Sequence, residues 1–286
     1  MDNDLLLPDI KRIIDTALSE DIGHSDITSS LLIPDNITAK GIITTEDDIV
    51  LAGLAIADEV FKRLDQDAVF KGVASDGDSV KAGTIIARVS GNGRALLAGE
   101  RVALNFLQRL SGIATLSRRF ADSVKGLPVR IVDTRKTTPG LRSLEKYAAR
   151  TGGCFNHRYG LFDGVLIKEN HIALTSGVEE AVSIAKMKSP HTFKVEVEVK
   201  NIEEVKGALK GKADIIMLDN MDVAMLKESV RIIRGQRDRE ILIEASGGMS
   251  LDRVRDVALT GVDIISVGAL THAAAWVNIS MDIEKE

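Results

Sequence analysis

From Val129 onward the chain alternates short apolar runs with helical stretches, and it does so six times in succession. An apolar run, an amphipathic stretch and another apolar run form the pattern of two parallel strands joined through a helix. Six such units in a row predict a parallel sheet, because antiparallel strands would not need the connecting helices. The predicted strands are 129–133, 165–168, 193–199, 214–218, 241–245 and 262–267, and the predicted helices are 141–150, 178–188, 202–209, 223–234 and 251–259.

Six parallel strands fit either an incomplete α/β barrel or an open doubly wound sheet. Polar and charged residues follow nearly every predicted strand. A barrel mouth requires this arrangement, because the functional residues of such barrels lie at the carboxyl ends of the strands. We therefore predict an incomplete, TIM-like α/β barrel of about six to seven strands over residues 112–272.

The first 111 residues have a different pattern. Predicted strands at 39–44, 48–51, 68–74 and 84–89 do not alternate regularly with helices, which is typical of an α+β unit rather than of a repeated strand-helix-strand pattern. We predict an N-terminal α+β sandwich domain over residues 1–111, with helices at 10–18 and 52–64 and a loop at 25–34. A long helical region at 98–125 is expected to break at Gly112. The segment 273–286 is predicted to be a helix that packs back on this domain.

Charged residues are concentrated at the ends of the predicted barrel strands. The first strand runs into Thr134, Arg135 and Lys136, and the second ends at Lys168. Clustered positive charge is unfavourable without an anion, so the pattern predicts a polyanionic ligand. On the third strand Lys194, Glu196 and Glu198 share one face, with Glu198 nearest the carboxyl end, and the fourth strand ends at Asp219. Glu198 and Asp219 form a carboxylate pair suited to ribose hydroxyls or Mg²⁺.

Glycine-containing turns follow the last two strands. Glycines at such positions let backbone N–H groups approach a phosphate at the beginning of a helix. Neither a dinucleotide-binding motif nor a P-loop motif is present. The candidate phosphate-binding residues are Ser246, Gly247, Gly248, Ser266, Val267 and Gly268.

Composition excludes several classes of partner. The net charge of −5 gives no attraction to nucleic acid or to an anionic membrane. No apolar run approaches the roughly 18 residues of a membrane span. Cys154 is the single cysteine, which fits a reducing compartment, so we expect a cytoplasmic protein. His157 and His171 lack the short ligand spacing of a zinc site.

Several long motifs carry a family resemblance. DTRKTTPGLR, EKYAARTGG, NHR, IKENH, VEVEV, LDN, EASGG and GVDIISVGALTH resemble the signature of the quinolinate phosphoribosyltransferases, over about residues 20–271. The resemblance implies transfer of phosphoribosyl from phosphoribosyl pyrophosphate (PRPP) to quinolinate, with decarboxylation to nicotinate mononucleotide, as in de novo NAD biosynthesis. It also implies Mg²⁺ as the cofactor.

The resemblance further implies a role for each site residue. Arg101 would reach the site of a neighbouring subunit, which implies a homodimer or a higher assembly of dimers. Lys136, Lys168, Glu198 and Asp219 would be catalytic, with Mg²⁺ at the two carboxylates, directly or indirectly. Arg101, Thr134, Arg135, His157, Arg158 and Lys168 would bind substrate, and Lys136 and Lys168 would also meet the phosphates.

Three alternatives remain at this point. A paralogous phosphoribosyltransferase could use the same donor with another pyridine or nucleobase acid. An aldolase barrel could use Lys168 as a Schiff-base nucleophile, which requires a neutral amine. A carrier module could display Lys81, because the segment 76–91 resembles half of a biotinyl or lipoyl domain.

Overall fold

The structure is a computed structural model that describes residues 8–236 and 239–285. The chain divides into two compact units. The first comprises the described part of residues 1–118, then Thr137–Gly153, and the described part of 273–286. The second comprises Arg119–Lys136 and Cys154–His272. No helix in the described ranges has the length and apolar character that a bilayer crossing requires.

The first unit is built on an antiparallel sheet with strand order β12-β1-β5-β3 and a two-stranded ribbon of β2 and β4. Its strands are β1 (Thr38–Thr45), β2 (Ile49–Val50), β3 (Val69–Gly72), β4 (Ser79–Val80), β5 (Ile85–Asn92) and β12 (Ile279–Lys285). Its helices are α1 (Pro8–Ile22), α2 (Ile27–Leu32), α3 (Leu54–Leu64), most of α4 (Gly93–Ser123), and α5 (Arg142–Thr151). The predicted α+β character of this region is confirmed.

Three local predictions in this unit are wrong. The segment 273–286 contains a strand, β12, because its alternating side chains pair it with β1 in register, Ile43 opposite Met281. The predicted loop at 25–34 contains α2, whose first turn is capped by the Asp26 side chain, which accepts from the Ser29 N–H. Helix α4 runs unbroken through Gly112, where a Cβ atom would lie 2.1 Å from the Ala275 carbonyl oxygen. Glycine there permits close backbone packing rather than a break.

Helix α5 belongs to the first unit, although the sequence placed it in the barrel. Its apolar face, Leu144, Tyr147 and Ala148, is part of that unit's core. The Tyr147 hydroxyl also donates to Asp76 Oδ2 at 2.6 Å. The amphipathic pattern showed which face of α5 is buried, but not which core it joins.

The second unit is a six-stranded parallel sheet with order β6-β11-β10-β9-β8-β7. The first strand therefore lies beside the last, and the order is cyclic except between β6 and β7. This is the topology of a barrel left open at one seam, and it confirms the predicted incomplete barrel. The strands are β6 (Arg130–Val132), β7 (Val165–Ile167), β8 (Val195–Val199), β9 (Ile215–Asp219), β10 (Leu242–Ser246) and β11 (Ile264–Ser266). The helices are α6 (Glu169–Ile172), α7 (Val178–Lys188), α8 (Ile202–Lys210), α9 (Val223–Arg234), α10 (Leu251–Ala258) and α11 (Ala269–His272).

Two segments have the sequence pattern of a capping box, Ser176 with Glu179 and Asn201 with Glu204. At the start of α8 the N-cap half is confirmed, because Asn201 Oδ1 accepts from the Glu204 N–H at 2.9 Å. The Glu204 carboxylate accepts from the Lys200 N–H at 2.7 Å, one residue before the N-cap. The box proposed for Ser176 with Glu179 is wrong. The N-cap of α7 is Gly177, one residue later, and its φ of 124° is a conformation that glycine adopts without strain.

Candidate active site

Three glutamates point to the same side of the parallel sheet. Glu196 and Glu198 are 5% and 7% exposed, and β8 is buried along its whole length. Residues paired across parallel strands share a face, and Glu198 pairs with Met217, which in turn pairs with Glu244. All three carboxylates therefore lie on the inner face of the barrel. The prediction that Glu196 and Glu198 share a face is confirmed.

Lys168 at the end of β7 reaches the adjacent strand. Its Nζ atom forms an ion pair with Glu198 Oε2. The backbone N–H of Lys168 donates to His171 Nδ1 at 2.9 Å, and Glu169 forms an ion pair with Lys200 at 2.7 Å. His171 therefore shapes the turn that aims Lys168 into the site.

The ion pair also bears on the aldolase reading of Lys168. Glu198 occupies the Nζ atom of Lys168, whereas a Schiff-base nucleophile must be free to attack a carbonyl carbon. Lys81, the residue of the carrier reading, is exposed and forms an ion pair with Asp48 at 2.6 Å.

Arg135 and Arg158 lie near enough for their charges to interact. Burial, followed by the positive charge of Arg135, lowers the pKa of Arg158. One guanidinium N–H of Arg158 donates to the Gly164 carbonyl at 3.0 Å. Both side chains are half-buried, so their repulsion is less screened than in bulk water. An anion between them would relieve it.

The Asp133 carboxylate links the DTRK segment to the NHR segment through hydrogen bonds. The side chain is fully buried at the end of β6. Its Oδ2 atom accepts from Asn156 Nδ2 at 2.7 Å, and its Oδ1 atom accepts from the His157 N–H at 2.9 Å. Asp133 thereby fixes the backbone from which His157 and Arg158 project.

His157 lies between two buried carboxylates. Its Nε2 atom is 3.4 Å from Glu196 Oε2 and 3.6 Å from Glu244 Oε2. Burial lowers the pKa of His157, but hydrogen bonds and charge from the two glutamates outweigh it and raise the pKa to about 10. Burial also raises the pKa of Glu196. The cluster therefore holds one more proton at neutral pH than the same three groups would hold in water.

A hydrogen bond sets the orientation of the imidazole ring. The Arg158 N–H donates to His157 Nδ1 at 2.8 Å. The Nε2 atom, with its hydrogen, then faces the carboxylates of Glu196 and Glu244.

The same three residues form a group of possible metal ligands. His157, Glu196 and Glu244 have ligand atoms within 4.8 Å of one another, a grouping that the sequence did not predict. Because the pKa of His157 is raised, a metal at this position would have to displace the proton that the imidazole holds.

The turn after β10 is built around glycine. Gly247 and Gly248 have φ values of 91° and 58°. A Cβ atom on Gly247 would lie 2.2 Å from Asn220 Oδ1, and Asn220 itself has a positive φ of 53°. The Arg253 guanidinium donates to the Gly247 and Gly248 carbonyls at 3.3 and 3.4 Å, and to the Met221 carbonyl at 2.6 Å. These contacts orient the turn.

The turn after β11 has a different construction. A Cβ atom on Gly268 would lie 3.0 Å from Lys136 Cδ and 3.2 Å from His272 Nε2. Thr271 Oγ1 donates to the Lys136 carbonyl at 2.7 Å. Lys136 is therefore held beside Gly268. The N–H of Val267 donates to the Val132 carbonyl at 2.9 Å, and its phosphate contact stays a prediction. Its neighbour Ser266 is buried on the inner face.

The remaining predicted residues occupy different places. Asp219 pairs in register with Ser246, which brings its carboxylate to the β10 turn, and it accepts from Asn220 Nδ2 at 3.1 Å. Thr134 Oγ1 accepts from the Lys136 N–H at 3.1 Å and so shapes the loop after β6. Arg101 belongs to the first unit, exposed on α4 beside a small polar cavity.

Sequence reasoning missed five residues of this site. Four of them carry no sequence motif that assigns them to the site: Asp133, Glu244, Arg253 and His272. Glu196 is different, because its alternation with Glu198 already placed it on the inner face of the barrel.

Comparisons with known proteins agree over nearly the whole chain. Residues 113–282 match the family described as quinolinate phosphoribosyl transferase, C-terminal domain, and residues 26–111 match its N-terminal domain. A Synechocystis protein named as a probable nicotinate-nucleotide pyrophosphorylase (carboxylating) is 43% identical over 93% of this chain and 90% of its own. A Bacillus subtilis protein of the same name is 40% identical over 96% and 93%. The structure of a nicotinate-nucleotide pyrophosphorylase from Francisella tularensis superposes with a TM-score of 0.90 at 38% identity, covering 99% of this chain and 100% of that one.

Proposed function

The chain belongs to the quinolinate phosphoribosyltransferase family, and from this membership we propose how the inner face of its barrel carries out the reaction. The enzyme transfers the phosphoribosyl group of PRPP to the ring nitrogen of quinolinate and releases the 2-carboxylate as CO₂. The products are nicotinate mononucleotide, CO₂ and pyrophosphate. It is a pentosyltransferase of de novo NAD biosynthesis.

The observation that best supports the acceptor site is the position of two cations at the carboxyl ends of their strands, with Arg135 after β6 and Lys168 directly after β7. Arg158 and His157 line a cavity of about 290 Å³ that extends to the beginnings of β7 and β9, at Val165 and Ile215. We assign the two carboxylates of quinolinate to Arg135, Arg158 and Lys168. Arginine forks bind carboxylates in a bidentate way, so they also orient the pyridine ring.

The donor site is assigned to the two glycine turns. The N–H groups around Gly247 and Gly248, together with Ser246, would bind one phosphate. Lys136 beside Gly268, with Ser266 nearby, would bind another. Glu198 and Asp219, at the ends of adjacent strands, would accept hydrogen bonds from the ribose hydroxyls. Their negative charge would stabilise the oxocarbenium character that develops at C1 as pyrophosphate leaves.

Mg²⁺ fits this end of the barrel, because carboxylate oxygens are the ligands it prefers. Asp219 is the better ligand of the two, since Glu198 Oε2 is already paired with Lys168. When bound, Mg²⁺ would neutralise the charge of the pyrophosphate leaving group.

Decarboxylation follows ribosylation without a covalent enzyme intermediate. Once the ring nitrogen bonds to C1 of the ribose, the ring is a pyridinium and withdraws electrons from C2. The bond from C2 to the 2-carboxylate then breaks, CO₂ leaves, and the electron pair on C2 takes up a proton. Arg135 and Arg158 would hold the ring in place through both steps.

We also propose a homodimer in which Arg101 reaches the neighbouring site. Its exposure on α4 makes this possible, and dilution to the monomer should then abolish turnover. A cytoplasmic location is proposed as well, supported by the single cysteine, Cys154.

A product assay tests the function. Enzyme, PRPP, Mg²⁺ and quinolinate should give nicotinate mononucleotide and CO₂ in equal amounts. Nicotinate, which lacks the 2-carboxylate, serves as the control acceptor and should not react. Turnover of neither acid would point to another acceptor at the same phosphate sites.

A further inference from the structure

Two buried glutamates have no role in the chemistry assigned above. Glu196 and Glu244 are 5% and 1% exposed. Each directs its Oε2 atom at His157 Nε2, and each has a buried Oε1 atom that accepts no hydrogen bond from the described residues. Burying two carboxylates this close together is unfavourable unless a partner compensates their charge. The partner that both share is His157.

His157 is held from three directions. Its backbone N–H donates to Asp133, its Nε2 atom faces the two glutamates, and its Nδ1 atom accepts from the Arg158 N–H. A rotation of the ring would break the bond to Arg158. The position of the Arg158 backbone therefore depends on the orientation of the imidazole, and that orientation depends on the glutamate pair.

We propose that Glu196 and Glu244 are positioning residues for the acceptor. The two carboxylates clamp the His157 ring, and the ring fixes the backbone of Arg158, so that its guanidinium group is already in place when a pyridine dicarboxylate enters. Neither glutamate needs to touch the substrate. The inference rests on the proposed function, since it concerns the quinolinate end of that site.

The test is a double-mutant cycle. Glu196→Gln and Glu244→Gln remove a charge and keep the volume, and each is made in the natural protein and in a His157→Asn background. The measurements are the KM for quinolinate, the KM for PRPP, and the dissociation constant of quinolinate by calorimetry, which does not require turnover. Glu203→Gln is the matched control, because Glu203 is an exposed barrel-unit glutamate paired with Lys206.

Each substitution should raise the quinolinate KM and dissociation constant about tenfold, as loss of a residue that orients a ligand does. The PRPP KM should stay unchanged. In the His157→Asn background the same substitutions should add less than about twofold, because the side chain through which they act is gone. The control should match the natural protein. If one of the two glutamate variants fails to fold, as judged by its thermal midpoint, the double-mutant cycle is measured with the other variant.

Three outcomes would overturn the inference. An equal rise in both KM values would indicate a general structural role. Full effects in the His157→Asn background would show that the glutamates act independently of His157. Unchanged quinolinate affinity in both variants would show that no clamp exists. Failure of the proposed function is a separate result, since it would appear as absent quinolinate turnover and binding in the natural protein itself.

Discussion

Asn220 lies so close to Gly247 that a Cβ atom on the glycine would stand 2.2 Å from Asn220 Oδ1. The contact joins the residue after β9 to the turn after β10. A hydrogen bond from the Asn220 N–H to the Ser246 carbonyl, at 3.0 Å, also joins these two loops. These contacts fix the position of Asp219, the proposed ribose ligand, relative to the proposed phosphate turn.

Gly247→Ala should separate these loops. We expect a rise of at least about tenfold in the KM for PRPP, because a displacement of about 1 Å in a substrate-positioning group has effects of that order or larger. The KM for quinolinate should change less. Gly261→Ala is the control: its φ of 93° matches the 91° of Gly247, but the nearest atom to its Cβ would be 3.5 Å away. It should lose stability and keep its PRPP affinity. Equal effects of the two substitutions on the PRPP KM would contradict the prediction.

Lys168→Ala should remove both a carboxylate contact and the ion pair to Glu198. We expect a fall in kcat/KM of about 10²-fold or more, the usual effect of losing a group that stabilises developing charge. Lys206→Ala, which removes an exposed lysine paired with Glu203, should leave activity unchanged. Borohydride treatment with substrate should not trap Lys168. Mass spectrometry that found a trapped adduct there would revive the Schiff-base mechanism.

The His157 cluster should make stability depend on pH. The folded pKa of His157 is raised to about 10, so the folded protein keeps a proton that the unfolded chain releases near 6.5. The stabilisation is fully present below pH 6.5 and is lost as pH rises through 10. Over that window the free energy of unfolding should fall by up to about 1.4 kcal/mol per pH unit.

Urea unfolding at several pH values between 6 and 10 would measure this slope. His157→Asn should flatten it, whatever its effect on stability at a single pH. The two proteins share all other titrating groups, so the difference between their curves isolates the cluster. Identical slopes would show that the cluster holds no additional proton.

Gly112→Ala tests the packing of α4. In an exposed helix interior this substitution stabilises by roughly 0.5–1 kcal/mol. Here the new Cβ would meet the Ala275 carbonyl oxygen at 2.1 Å, so we expect destabilisation of about 1–3 kcal/mol. Gly99→Ala in the same helix meets only side-chain atoms of Leu64 and Phe61, which can shift, and should cost less. Thermal or urea unfolding of both variants measures the difference.

The sequence predicted the barrel because strand periodicity and chain order are local properties. These properties do not predict one pairing of the sheet, that of β6 with β11, which makes the strand order cyclic. Predictions failed where a distant partner decided the outcome. Residues 279–285 became a strand because β1 offered an edge, and Gly112 stayed helical because Ala275 approached it.

The same contrast between local sequence properties and distant partners applies to the site residues. Residues at strand ends were predicted, since the carboxyl end of each strand can be read from its apolar run. Asp133, Glu244 and Arg253 were not, because each has a partner 20 or more residues away in the chain. Val267 shows the same dependence on the fold, since its N–H pairs with Val132, a bond that only the β6–β11 pairing creates.

The pairing of β12 with β1 has a consequence for biosynthesis. Asp47 and Asn278, which are bonded just beyond these strands, are 231 positions apart. A ribosome needs roughly ten to fifty seconds to cover that distance. Throughout that time the nascent chain carries β1 with one edge unpaired, a surface to which other extended chains can add. A strand translated long after β1 therefore closes the sheet that β1 begins, and a chain cut short before β12 would leave that edge exposed.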